Sequence, residues 1–120
     1  MRTYLLHNSV QTGDVGNVEL LINQGADLNE LDEFGNSPLH WAVMGGYYDI
    51  VKILLEAGAN PNVLSTDGYS PKWSAVDWGL VEITDLLNSY DGKVITNDHF
   101  DRTSWNLLKK ALGQSLPEEE

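Results

Sequence analysis

The chain has 120 residues, 42% of them apolar, with four tryptophans, five tyrosines and no cysteine. This length suits one domain that buries roughly two-thirds of its unfolded surface, the aromatic content argues against disorder, and disulfides and thiolate metal sites are excluded. The net charge of −11 opposes contact with phosphate backbones or anionic lipid and favours a basic partner, or serves solubility alone.

Reading from the start, Met1 to Asn8 turns polar too soon for a signal peptide. No stretch approaches the ~20 apolar residues that span a bilayer. The expectation is a soluble, cytoplasmic protein. A first helix is predicted over residues 4–11, with Asn8 and Ser9 giving it one wet face. Gly13-Asp14-Val15-Gly16 links it to a second helix holding Val18, Leu20, Leu21 and Ile22, closed by Gln24-Gly25-Ala26-Asp27-Leu28-Asn29. That linker has an acid where a phosphate would need bare amides, so it is no phosphate loop.

Asp32-Glu33-Phe34-Gly35-Asn36 then reads as a turn, with Gly35 free to take positive φ. Ser37 can cap a helix whose first residue is Pro38, where a missing N–H costs nothing. Leu39, Ala42 and Val43 recur at helical spacing before Gly45-Gly46 ends the run. Tyr47 and Tyr48 open the next helix as half-buried packing. It carries Asp49 near its start and an apolar face of Ile50, Val51, Ile53, Leu54 and Leu55, stopped by Gly58.

The same marks return at one offset. Gly35 recurs as Gly68, Ser37-Pro38 as Ser70-Pro71 and Gly46 as Gly79, each 33 residues on. Going back by the same step, Gly46 meets Gly13, Gly58 meets Gly25, Ala59 meets Ala26 and Asn62 meets Asn29. Such a period marks stacked units, each burying its apolar face against its neighbours. The third unit diverges: Lys72 stands for Leu39, Trp73 for His40, and Tyr90-Asp91-Gly92-Lys93 for Ala57-Gly58-Ala59-Asn60. One more step places Asp101-Arg102-Thr103-Ser104 at a turn and helix start, predicting a capping helix over residues 104–112. Glu118, Glu119 and Glu120, after Pro117, are expected to form an acidic, mobile tail.

Gly35-Asn36-Ser37-Pro38-Leu39-His40-Trp41-Ala42, with Asp49-Ile50-Val51-Lys52-Ile53-Leu54-Leu55-Glu56-Ala57-Gly58-Ala59-Asn60-Pro61-Asn62, closely resembles the ankyrin repeat. The resemblance implies an all-α solenoid of stacked helix-turn-helix units joined by β-turn or hairpin-like loops. The expected layout is a single domain over residues 1–113, with units at 1–31, 32–64 and 65–97 and a capping half-unit at 98–113. Residues 114–120 form the tail. It further implies that His40, and His7 in the matching place, hydrogen-bond backbone between units and are not metal co-ligands. Asn29 and Asn62 are expected to brace loops through their side chains.

No catalytic, cofactor or metal site is expected: no serine sits in a nucleophile elbow. Asp98-His99-Phe100-Asp101 reads as turn composition; the remote alternative is a metal-dependent enzyme centred on Asp98, His99 and Asp101. The family resemblance implies binding through turn tips and the exposed face of each first helix. The tips offer Leu31, Glu33, Phe34 and Asn36, then Leu64, Thr66, Asp67 and Tyr69, then His99, Phe100 and Arg102. The helix face adds Gln11, Thr12, Met44, Asp77 and Trp78. Phe34, Tyr69 and Phe100 could instead pack tip on tip. Trp78 replaces the small Thr12 and Gly45, which points to an interface.

The acids Glu30, Asp32, Glu33, Asp67, Asp77 and Asp98 are expected along the same edge, steering a basic protein. The resulting expectation is a monomeric binding module for a basic protein, without direct nucleic-acid or membrane contact. Its sharper form is an inhibitor, such as an immunity protein that blocks a nuclease-type toxin. The alternative is an adaptor that joins two partners and needs a second exposed patch on the long-helix side.

Overall fold

The computed structural model describes residues 4–94, which form three helix pairs. They are α1 (Leu5–Gln11) with α2 (Val15–Asn23), α3 (Pro38–Met44) with α4 (Tyr48–Glu56), and α5 (Pro71–Asp77) with α6 (Val81–Ser89). The predicted capping helix and tail lie outside the described residues. The short helices α1, α3 and α5 stack as one layer, and the longer α2, α4 and α6 as the other.

The start signals work as the sequence predicts. Ser37 caps α3, its hydroxyl accepting from the His40 amide at 3.1 Å, with Pro38 in the first turn. Ser70 caps α5 in the same way, with Pro71 following. Each helix is too short to persist alone in water, so packing must hold it. Leu39, Ala42, Val43, Ile50, Val51 and Leu54 of the middle repeat are buried, joined by Val10 and Val18 on one side and Ala75, Ile83 and Leu87 on the other. Each large aliphatic buried here contributes about 1.5–3 kcal/mol against exposure.

Consecutive repeats are also stitched by polar ties. His40 Nε2 donates to the Tyr69 carbonyl of the third repeat at 2.8 Å, whereas His7 Nε2 donates to the Glu30 carbonyl at 2.7 Å, at the end of its own unit. Asn29 Oδ1 accepts from the Asn60 amide at 2.8 Å, and Asn62 Oδ1 from the Lys93 amide at 2.7 Å. His40, Asn29 and Asn62 therefore tie neighbouring repeats, as expected; His7 instead ties the first repeat to its own end.

Two details differ from the sequence reading. Ser9 is buried, and its hydroxyl accepts from the Asn17 amide group; Asn8 alone is exposed on that part of α1. Asn17 stands 33 residues before the buried Ile50, so the first repeat satisfies its outer side with a polar pair. The end of the third repeat is also more regular than its residues suggest. Asp91 takes φ +64°, in the place where Gly25 and Gly58 take +88° and +104°. Gly92 is buried where Ala59 is buried. The family geometry survives there without the family residues.

Candidate protein-binding surface

The finger before α3 is closed by backbone and by one carboxylate. The Asp32 amide donates to the Asn36 carbonyl and the Gly35 amide to the Asp32 carbonyl, both at 2.9 Å. Asp32 Oδ1 accepts from the amides of Phe34 and Asn36 at 3.0 Å each, and Oδ2 accepts from Trp41 Nε1 at 2.7 Å. Asp32 is buried, and a buried carboxylate persists only when so satisfied. It is therefore a scaffold for the finger and not one of the steering charges assigned to this edge.

That scaffold fixes an aromatic pair. Phe34 stands edge-on to Trp41 with centroids 6.1 Å apart and an interplanar angle of 85°, the favoured geometry for such rings. Phe34 nevertheless stays 67% exposed. Beside the pair lies an open groove of about 470 Å³, lined by Gln11, Phe34, Trp41, Met44, Gly45 and Tyr47. Gln11, Met44 and Asp77 are equivalent, 33 residues apart, so they mark the same face of α1, α3 and α5. Tyr47 reaches back to the Gln11 carbonyl at 3.3 Å, bracing the groove floor across two repeats.

The remaining predicted residues fall into distinct settings. Glu33 and Asp67 are exposed on the two fingers. Asn36 is half-buried and closes its own finger. Thr66 is exposed, but its amide donates to the Gly35 carbonyl at 2.9 Å, so the fingers join through backbone and not through aromatic tips. Tyr69 is half-buried and stacked on Trp73 at 4.5 Å, which makes its ring largely a packing element. Asp77 is half-buried, and that burial pushes its carboxyl above the usual range. Trp78, at the end of α5, is 64% exposed and does not line the groove. His99, Phe100 and Arg102 lie outside the described residues, as do Asp98 and Asp101.

Two aromatic groove residues are not among the expected binding residues: Trp41, and Tyr47, which the sequence assigns to half-buried packing and which is half-buried. Trp41 sits inside the family motif and looks like framework. Its counterparts Asn8 and Ser74 are small and polar, so the comparison that drew attention to Trp78 would also have found it. Over the described residues, thirteen carboxylates face three lysines. Such an imbalance gives this region a negative field that salt screens.

Comparison with known proteins matches residues 6–99 to ankyrin repeats in three copies. A protein of fowlpox virus (strain NVSL), named as an ankyrin repeat protein, is 40% identical over 38 residues. That segment is 32% of this chain and 27% of the viral protein, so the match spans much less than two-thirds of the relative. With six helices in three stacked pairs among the described residues and most of its length matched, the chain belongs to the ankyrin-repeat family, whose repeats serve as protein-interaction modules.

Proposed function

We propose that this module binds a basic protein through its concave face, with the Phe34–Trp41 pair and the adjoining groove as the anchoring site. The observation that carries the reading is Phe34, a large aromatic held 67% exposed by a finger whose own closure does not need it. Exposed aromatics beside an apolar groove are the usual centre of an interface, and the surrounding carboxylates form its rim. Glu33, Asp67 and Asp77 supply attraction and orientation; Met44 shapes the groove. Trp78 extends the surface along the end of α5.

The test is affinity for a basic protein copurified from the source cells. Phe34→Ala is expected to weaken binding ~10-fold or more while leaving stability within ~0.5 kcal/mol. Paired Asp77→Ala and Trp78→Ala should slow association and hasten dissociation. Unchanged affinity in both variants would remove the concave face as the site. The narrower form of the reading is an inhibitor that neutralises a basic toxin such as a nuclease. It requires the captured partner to lose activity at stoichiometric module, and full activity in the complex would leave plain binding alone.

A further inference from the structure

The three longer helices begin with Val15, Tyr48 and Val81, equivalent residues 33 apart. All three are exposed, at 36%, 39% and 61%. The stack does not need apolar groups there, since the core runs through Ile50, Val51, Leu54, Ile83 and Leu87. An apolar row repeated at a solvent-facing position is therefore a surface in its own right.

Between the second and third repeats this row deepens into a continuous double groove. One part, about 320 Å³, is lined by Tyr48, Leu80, Val81 and Glu82 among others. The other, about 510 Å³, shares Tyr48 and Glu82 and adds Asp85 and Leu86. Charge on this layer is one-sided. Helices α2, α4 and α6 carry Glu19, Asp49, Glu56, Glu82 and Asp85 against the single Lys52, all exposed.

We infer that this outer face is a second docking surface, taking a basic amphipathic helix of a protein partner. The row's spacing accommodates a helix. Packed helices of neighbouring repeats lie roughly 8–10 Å apart, so the row offers one apolar contact at about that interval. Helical residues seven apart recur on one face at about 10.5 Å, whereas same-side strand residues recur at roughly 6.6–6.8 Å. Leucine-like side chains of such a helix would seat between Tyr48 and Val81, with its lysines or arginines facing Glu82 and Asp85. This surface is separate from the concave groove and stands whether or not that groove is the primary site.

The test titrates the ¹⁵N-labelled chain with a synthetic Lys/Leu peptide having leucine at helical spacing, beside a scrambled peptide of identical composition. The expected result is shifts at Tyr48, Val81, Glu82 and Leu86, and ~10-fold weaker binding of the scrambled peptide. Val81→Glu and Tyr48→Ser, both at exposed positions, should weaken the ordered peptide by a similar factor, while Met44→Glu on the concave face leaves it unchanged. Equal binding of the two peptides would reduce the effect to charge alone and overturn the proposal. Shifts confined to Phe34 and Met44, or no effect of the Val81 and Tyr48 variants, would overturn it as well.

Discussion

The fingers at residues 32–36 and 65–69 close on the same backbone ring, yet they present different side chains to solvent. In the second repeat Asp32 accepts three hydrogen bonds, locks Trp41 beneath the finger and leaves Phe34 outside. In the third, Ser65 takes the matching place: its amide donates to the Tyr69 carbonyl and its hydroxyl accepts from the Tyr69 amide. Tyr69 is then stacked on Trp73 and half withdrawn. A repeat stack thus separates two jobs. Backbone closure is common to the fingers, while the aromatic stands at a different place in each: Phe34 at the outer position, where the third repeat has Asp67, and Tyr69 at the half-buried one, where the second has Asn36.

The largest effect expected from breaking this comparison is at the finger glycines. Gly35 takes φ +80°, and a Cβ there would overlap the Thr66 hydroxyl of the next finger. Gly35→Ala should cost about 2–4 kcal/mol in chemical denaturation. Gly68→Ala, at φ +88°, should cost about 1–2 kcal/mol from the backbone alone. Equal costs would mean that the finger-to-finger contact contributes nothing.

Next comes the closing residue. Asp32→Ala leaves the Phe34 and Asn36 amides and the Trp41 indole without their carboxylate, at about 2–3 kcal/mol, and should alter Trp41 fluorescence. Ser65→Ala should cost only about 1 kcal/mol. A Ser65 variant as damaging as the Asp32 variant would refute the distinction between the fingers.

A pH titration sharpens it further. Burial holds His40 below the ordinary histidine value of 6.5, against the opposing pull of its Tyr69 hydrogen bond and nearby Asp32. Nε2 donates to the Tyr69 carbonyl, so Nδ1 must accept from Ser37, and protonation there would set a donor against a donor. The unfolded chain takes up the proton first as pH falls. Stability is therefore full above 6.5 and declines below it until the lower folded value is reached. Urea midpoints measured across this window should fall with acid, and His40→Gln should flatten its part of the slope.

The smallest effect is a gain. Asp91→Gly relieves a positive φ of 64° and should raise stability by about 0.5–1 kcal/mol, read as a higher melting temperature. A loss would show that the Asp91 side chain supports the last loop.

Most of the stack was legible because its signals are local. Ser37-Pro38, Ser70-Pro71 and the spaced glycines each act on their own few residues, and their recurrence at 33 set the register. What stayed hidden depended on partners distant in sequence or on geometry indifferent to side chains. Asp32 reads as a solvated turn acid until Trp41, nine residues on, is placed against it. Tyr69 reads as a tip aromatic until Trp73 turns beneath it. The end of the third repeat reads as degenerate because residue type, not φ, is what a sequence displays. Of the groove lining, Phe34 and Met44 were expected at the surface from their position, while Trp41 and Tyr47 read as framework, which they also serve.

The polar ties between repeats have a direction. Asn29, His40 and Asn62 each lend a side chain to backbone that lies later in the chain; Tyr47 reaches back the other way. Each repeat therefore presents prepositioned donors and acceptors to the one that follows it, so a repeat docking on that side finds its polar partners already placed.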